Sequence, residues 1–237
     1  MGRAVRERIE GGHRGARLAA GVDPSAGESE SKMYGALEEY EGAADVILDF
    51  SHHTCTEALT EYAVARGLPC VIATTGQTAE ELRLIVAAAK KIPIFLSANM
   101  SLGIALTARF VRLAASVVPD AEIEIVETHH DKKPDAPSGT ALILANAVKE
   151  ALPDAEFVYG RHGYKKRAKT EVGIHSLRLG GVVGEHEVFI SSGGEIITIK
   201  HTAESRTLYA DGALAAAEFL IGRPAGIYNM DSIVGAE

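Results

Sequence analysis

The chain has no tryptophan, two cysteines and few aromatic residues, which make up 5% of the sequence. Cys55 and Cys70 lack the paired spacing of zinc or redox sites, so we expect reduced thiols. No apolar run approaches the roughly 20 residues that a membrane-spanning helix requires. The polar segment 1–10 does not resemble a signal peptide. These absences predict a cytoplasmic protein without a membrane partner.

Positive charge is also scarce, because 32 acidic side chains outnumber 24 basic ones. The net charge of −8 argues against a protein that binds nucleic acid or an anionic membrane surface. The basic segment 161–169 is predicted to be a solvated loop, close to the substrate or to a subunit contact. An anionic ligand would therefore have to be held by local positive groups.

Hydrophobic residues, 46% of the 237, are ordered in two different ways along the chain. In the first part, apolar strands alternate with helices, as in an α/β, Rossmann-like doubly wound parallel sheet. The second part has one helix, 141–152, among several strands, which indicates an α+β domain with a mostly antiparallel or mixed sheet. The strands expected there are 121–126, 157–159, 170–179, 186–191 and 195–201. We predict one domain from residues 1–100 and 207–237, and a second from 101–206.

The segment Glu127–Thr140, E-T-H-H-D-K-K-P-D-A-P-S-G-T, joins a predicted strand to the helix 141–152. A helix N-terminus offers backbone N–H groups to a carboxylate or phosphate, and Ser138 is a suitable N-cap. The same Ser-Gly-Thr sequence is also an ordinary capped helix start. Adjacent side chains on an extended segment point to opposite faces, so we predict no metal site at His129 and His130.

The whole segment resembles the signature of the bacterial dihydrodipicolinate reductases, also called 4-hydroxy-tetrahydrodipicolinate reductases. That signature, E-[TA]-H-H-x-x-K-x-D-[AS]-P-S-G-T-A, is matched at every fixed position from Glu127 to Ala141. The resemblance implies the NAD(P)H-dependent reduction of a small cyclic dicarboxylate in lysine and diaminopimelate biosynthesis. It also implies a homotetramer assembled through the β-rich domain.

The same resemblance assigns roles within the segment. His129 resembles the general acid, and an unperturbed histidine pKa near 6.5 suits proton transfer at neutral pH. Lys133 resembles the second proton donor, whereas its neighbour Lys132 is expected to be solvated. His130, Gly139 and Thr140 resemble the residues that bind substrate.

The resemblance also implies a site for NADH or NADPH. Asp23 stands where an acidic side chain binds the ribose, although Asp-Pro is equally typical of a turn. Pro24 replaces the basic residue that some relatives have there, which favours NADH. The loops after the later strands would complete the site, with Ala73 in place of the family's glycine. They contribute Ala73, Thr74, Thr75, Ser97, Ala98, Asn99 and Met100.

The first residues, M-G-R-A-V, resemble the end of the family's glycine-rich loop, G-x-x-G-R-M-G-R, and place Met1 at the cofactor. We therefore expect the first strand and the earlier glycines to be absent, through a late start, a truncation or a real loss. Such a loss would expose sheet edges. It would also permit the alternative of a non-catalytic ligand-binding or regulatory protein. A different dehydrogenase on the same fold would lack the 127–140 signature.

Overall fold

The computed structural model of the protein describes residues 1–25 and 32–235. The chain divides into two compact units, Met1–Ser101 with Thr207–Glu237, and Leu102–Arg206. The described strands are β1 Gly21–Val22, β2 Met33–Tyr34, β3 Ile47–Asp49, β4 Cys70–Ile72, β5 Pro93–Leu96, β6 Glu122–His129, β7 Glu156–Tyr159, β8 Glu171–Arg178, β9 Gly184–Ser192, β10 Glu195–Ala203 and β11 Gly226–Tyr228. The described α-helices are α1 Gly2–Glu10, α2 Thr56–Arg66, α3 Ala79–Ala88, α4 Leu102–Val117, α5 Gly139–Ala151, α6 Thr207–Leu220 and α7 Met230–Val234.

The first unit contains the predicted parallel sheet, with the strand order β11-β5-β4-β3. Local sequence sets the ends of its helices. Thr78 and Glu81 form the expected capping box at α3, and Gly67 ends α2 with a φ of 63° that favours glycine. The α/β doubly wound interpretation of this half is therefore confirmed.

Two details of this unit differ from the sequence prediction. The sequence of residues 17–22 predicts a strand, but only β1 forms there, and it pairs with β2 in a separate two-stranded sheet. Among the described residues no strand hydrogen-bonds to both β1 and β3, so residues 17–20 have no ladder to hold them extended. The glycines and proline of the segment 222–228 predict a closing turn, but the segment contains β11, whose pairing with β5 overrides this composition.

The first unit has one apolar cluster between the helices α2 and α3 and the sheet, and another around the alanine-rich helix α6. Its buried residues contact the parallel sheet and the side chain of Val5 on α1. Gly212 allows the closest approach, because a Cβ there would run into the carbonyl oxygen of Met100. The helix therefore holds the loop that follows β5 in place.

The second unit is a mixed five-stranded sheet in the order β10-β9-β6-β8-β7. The central strand β6 runs antiparallel to β9 and parallel to β8, which confirms the predicted mixed sheet. Helices α4 and α5 pack on one face, over apolar side chains such as Ile125 and Val188. Because its pairing with β8 continues as far as His129, β6 is longer than the predicted 121–126. His129 therefore ends a strand and does not lie in a loop.

Candidate functional site

A row of polar side chains interrupts the apolar, helix-covered face of the second sheet. Glu127 on β6 is paired in register with His186 on β9, and His186 is paired with His201 on β10. Residues on the same face closer to the start of β6, such as Ile123 and Ile125, are buried and apolar. Polar groups buried at this level need partners, so their hydrogen bonds define the site.

Glu127 is the centre of this network and is fully buried, with 0% exposure. Arg178 grips it in a bidentate pair, donating to Oε2 at 3.0 Å and to Oε1 at 2.9 Å. The Ser138 N–H donates to Oε1 at 3.1 Å, and His129 Nδ1 lies 2.5 Å from Oε2. Burial raises the pKa of Glu127, but hydrogen bonds from Arg178, Ser176 and His129 outweigh it, so that the net pKa is lowered. Glu127 is therefore an anion at neutral pH.

An ionised carboxylate can only accept hydrogen bonds, so His129 must carry a proton on Nδ1. Its other ring nitrogen, Nε2, lies over Gly184, where an added Cβ would be 3.0 Å away. Only 9% of His129 is exposed. The strand end thus presents a histidine whose orientation is fixed from behind by a carboxylate.

The N-terminus of α5 lies beside this pair. Ser138 is its N-cap, as predicted, and its Oγ accepts the Ala141 N–H at 3.1 Å. The same oxygen is 3.1 Å from Nε2 of the buried His186. Burial, and then the nearby His129, lower the pKa of His186 to about 3, so its ring is neutral. A Cβ at Gly139 would meet nothing within 4 Å, which leaves space at the first turn of the helix.

Lys133 belongs to the same segment as the helix start. Its ammonium group pairs with Asp135 at 2.7 Å, and this hydrogen bond lowers the pKa of Asp135. Arg178 also donates to the main-chain carbonyl of Asp135, at 2.5 Å. Lys132 is exposed, whereas Lys133 has a side-chain exposure of 21%. His130 and Thr140 are half-buried in this segment.

Sequence reasoning assigned no function to several members of this network. Arg178, His186 and His201 reach Glu127 or its neighbours only through strand register, which local patterns do not reveal. Glu127 itself carried a usable signal, since a glutamate continues the inward positions of Ile123 and Ile125. An acidic residue at a core position has to be paired.

A second candidate site lies at the carboxyl ends of β4 and β5. The loop Ala73–Thr75 follows β4 and the loop Ser97–Met100 follows β5, and the Ser97 N–H donates to the Ile72 carbonyl at 3.2 Å. The structure thus brings these predicted cofactor residues to one sheet edge, where doubly wound folds bind ligands. Thr74 is buried, and its Oγ1 has no hydrogen-bond partner within the described part of the chain. Such a hydroxyl is suited to a ligand.

The remaining cofactor candidates lie elsewhere in the first unit. Asp23 follows β1, and its Oδ1 accepts from the N–H and hydroxyl of Ser25, at 2.9 and 2.7 Å, which lowers its pKa. Asp23 therefore organises its own turn, and the ribose role stays a prediction. Met1 is the N-cap of α1, where a Cβ at Gly2 would meet nothing within 4 Å.

Other charged groups are engaged within their own units. Arg161 and Lys165 of the basic segment pair with Glu171 at 2.8 and 3.0 Å. His53 lies 3.0 Å from Glu81. Across residues 1–25 and 32–235 there is no cluster of three or more metal-ligating side chains. None of the helices in those ranges has the length and apolar character needed to cross a membrane.

Comparison with known proteins agrees with both halves of the chain. The family model described as dihydrodipicolinate reductase, N-terminus, matches residues 1–100, and that of the C-terminus matches 103–234. The 4-hydroxy-tetrahydrodipicolinate reductase of Caldanaerobacter subterraneus subsp. tengcongensis is 47% identical, over 92% of this chain and 87% of its own. That of Clostridium novyi is 42% identical, over 99% of this chain and 94% of its own.

A solved structure is similar as well. The dipicolinate-bound dihydrodipicolinate reductase from Paenisporosarcina sp. TG-14 superposes with a TM-score of 0.68 at 26% identity. The match covers 80% of this chain and 73% of that one. From two family models, the curated relatives and a common fold, it follows that this chain belongs to the dihydrodipicolinate reductase family.

Proposed function

We propose that the chain reduces 4-hydroxy-tetrahydrodipicolinate to tetrahydrodipicolinate with NADH or NADPH, as a step of lysine and diaminopimelate biosynthesis. The observation that carries this proposal is the buried Glu127–His129 pair beside the N-terminus of α5. A proton donor with a fixed orientation is what the reduction of a cyclic imine requires. A protein that only bound its ligand would have no need of one.

The residues at the start of α5 account for a substrate with two carboxylates. Backbone N–H groups of Gly139 and Thr140, at the positive end of the helix dipole, would bind one carboxylate. The Lys133 ammonium group would exchange its contact with Asp135 for the other carboxylate and the imine nitrogen, with His130 alongside. The dipicolinate bound to the Paenisporosarcina relative is a planar dicarboxylate of this class.

The chemistry would divide between the cofactor and side chains of the unit Leu102–Arg206. The hydroxyl group of the substrate would leave as water, which gives a conjugated cyclic imine, and a bound dihydronicotinamide would supply a hydride to a ring carbon of that imine. His129 would then give a proton from Nε2 to the resulting enamine, while Glu127 stabilises the donor from the opposite side. Lys133 is our candidate for the second proton donor, because its cation lies on the same segment.

The first unit has features that suit a dinucleotide. The two strand-end loops, the unpartnered Thr74 hydroxyl and the helix start at Met1 and Gly2 offer polar groups to ribose and phosphate. Gly76 has a φ of 89°, a conformation that favours glycine and lets a ligand approach the backbone. Asp23 followed by Pro24 would repel the 2′-phosphate of NADPH, so we favour NADH.

We assign cofactor binding to residues 1–100 and 207–237, and substrate binding and assembly to residues 101–206. A homotetramer formed through the second sheet is our expectation for the assembly, and the cytoplasm our expectation for the compartment. The sheet face opposite α4 and α5 supports the former, because it presents exposed apolar residues such as Ile196.

The direct test is NADH oxidation by the chain. The preceding synthase would form the substrate in situ from pyruvate and aspartate semialdehyde, and omission of the synthase gives the background rate. We expect oxidation that depends on the synthase and yields tetrahydrodipicolinate, identified by mass. Binding of NADH and dipicolinate without turnover would favour a non-catalytic ligand-binding protein.

A further inference from the structure

Strand β6 carries three glutamates, and two of them, Glu124 and Glu127, lie on opposite faces of the sheet. Glu124, on the face away from α4 and α5, has 28% side-chain exposure and accepts hydrogen bonds from His175 at 2.8 Å and Arg161 at 3.1 Å. Glu127, on the helix-covered face, has no exposure and has the same kinds of partner, a histidine and an arginine. The two pairs share their chemistry, but only the histidine of the buried pair lies in the candidate site.

The surroundings of Glu127 allow it one role toward His129. Oε1 accepts from Arg178 and the Ser138 N–H, and Oε2 accepts from Arg178 and His129. Each oxygen is thus held by at least two donors, with Ser176 as a further hydrogen-bond partner of the carboxylate, and the bidentate arginine prevents rotation of the carboxylate. With every partner acting as a donor, Nδ1 of His129 has to be the protonated nitrogen of the neutral ring.

We propose that Glu127 is a positioning residue, which holds His129 in the Nδ1–H tautomer and so makes Nε2 the atom that exchanges the proton with substrate. Arg178 holds the Glu127 carboxylate in place and also donates to the main-chain carbonyl of Asp135, in the segment that contains Lys133. Gly184 keeps the Nε2 side free of a side chain. The expected change in kcat rests on the proposed function. The expected tautomer of His129 rests on the hydrogen-bond pattern alone.

The charged and titratable groups around His129 come from each neighbouring element. They are Glu127 on β6, Arg178 on β8, His186 on β9, His201 on β10 and Lys133 in the following segment. Glu127 is the anion that is hydrogen-bonded to the ring. Its removal would take away the acceptor that keeps the proton of the neutral ring on Nδ1.

Glu127→Gln is the decisive variant, because an amide cannot satisfy all these donors. Its oxygen best replaces Oε1, where it accepts from both Arg178 and Ser138, and this places the NH2 group toward His129. Nδ1 must then accept a hydrogen bond, and the neutral ring carries its proton on Nε2. We expect kcat to fall at least about tenfold, but no further than in His129→Ala. The KM for substrate should change much less than kcat. Glu124→Gln is the matched control and should leave kcat as in the wild type.

The tautomer is measured on the unliganded protein by the imidazole ¹⁵N chemical shifts of His129, assigned by their loss in His129→Ala. We expect protonated Nδ1 and unprotonated Nε2 in the wild type at alkaline pH, and the reverse in Glu127→Gln. An Nε2–H wild-type ring would overturn the proposal, even if the variant failed to fold. A folded Glu127→Gln with wild-type kcat would overturn it too. Absence of NADH oxidation by a wild type in the Nδ1–H form would instead refute the proposed function.

Discussion

The candidate sites of the two units are built from different parts of the chain. In the unit Leu102–Arg206, side chains form the edge, and Glu127, His129, Arg178 and Ser138 hold one another through hydrogen bonds. In the unit Met1–Ser101 with Thr207–Glu237, the edge consists of short loops at strand ends, with Thr74 Oγ1 left without a partner in the described ranges. The first arrangement is suited to moving protons, and the second to receiving a ligand that completes its hydrogen bonds.

The largest expected effect comes from removing His129, the proton donor that we propose. His129→Ala should lower kcat about 10²- to 10⁴-fold, the usual contribution of a general acid. The dissociation constant for NADH should stay as in the wild type, because the residues that we propose for the cofactor belong to the other unit. Steady-state kinetics and fluorescence titration with NADH measure the two quantities. The exposed His162→Ala provides the control, and equal losses in both variants would contradict the assignment.

Variants of the two adjacent lysines, Lys132 and Lys133, distinguish a specific role in the site from a general effect of positive charge. Lys133→Met should lower kcat/KM about 100-fold, through loss of a proton donor and a carboxylate contact. Lys132→Met removes the same charge from an exposed side chain and should have no measurable effect. The ratio of the two kcat/KM values is the readout. A larger loss of kcat/KM in Lys132→Met than in Lys133→Met would mean that Lys132, and not Lys133, acts in the site.

The free energy of unfolding at acid pH should depend on the buried polar row of the second sheet, Glu127, His186 and His201. The pKa of His186 is lowered to about 3, mainly by burial, so between pH 6.5 and 3 the unfolded chain binds a proton at this residue and the folded chain does not. The stability that the neutral ring contributes is fully present above pH 6.5 and is lost as the pH falls from 6.5 to 3. The free energy of unfolding should thus decrease by up to about 1.4 kcal/mol per pH unit from this group.

Urea unfolding between pH 6.5 and 5 separates the histidines from the carboxylates, which remain ionised there. Burial also lowers the pKa of His201, so the slope lost in His186→Gln gives the share of His186. His186→Gln should flatten the pH dependence, although it weakens the cap at Ser138. His162→Gln, at an exposed position, should keep the wild-type slope. An unchanged slope in His186→Gln would mean that His186 is protonated in the folded protein.

The preference for NADH that we propose should depend on Asp23. Replacing its carboxylate by the hydroxyl in Asp23→Ser removes a repulsion of about 1 kcal/mol toward a 2′-phosphate. The ratio of kcat/KM for NADPH to that for NADH should therefore rise about fivefold. If Asp23 only organises its turn with Ser25, the ratio will stay constant while the turn loosens.

Thr74→Val tests the edge of the first unit that is formed by strand-end loops. We expect a small rise in stability and a small fall in NADH affinity. The substitution removes a buried hydroxyl that lacks a partner, so the unliganded protein should gain about 1 kcal/mol of stability. NADH affinity should fall about fivefold, because the same hydroxyl no longer meets the ribose or phosphate. Thermal unfolding with and without NADH measures both. A loss of stability without ligand would contradict the idea of a vacant hydrogen bond.

The contrast between the units also explains what the sequence could predict. The signature around His129, Lys133 and Ser138 was readable because its chemistry resides in side chains that are close in sequence. Arg178 and His186 were not, since β-sheet register brings them to Glu127 from positions about fifty residues away. The helices of the first unit followed from local caps such as Thr78. The strands β1 and β11 did not, because pairing with a neighbour decides whether such short segments are extended.

The central claim is that a cofactor hydride and a proton held by the substrate unit reduce the same ring. Two reactions test it, one with NADH deuterated at the transferred position in H2O, the other with unlabelled NADH in D2O. We predict a product with a single deuterium from the cofactor in the first and carbon-bound solvent deuterium in the second, with His129→Ala slow in both. A product that carries no deuterium from the cofactor would contradict the account.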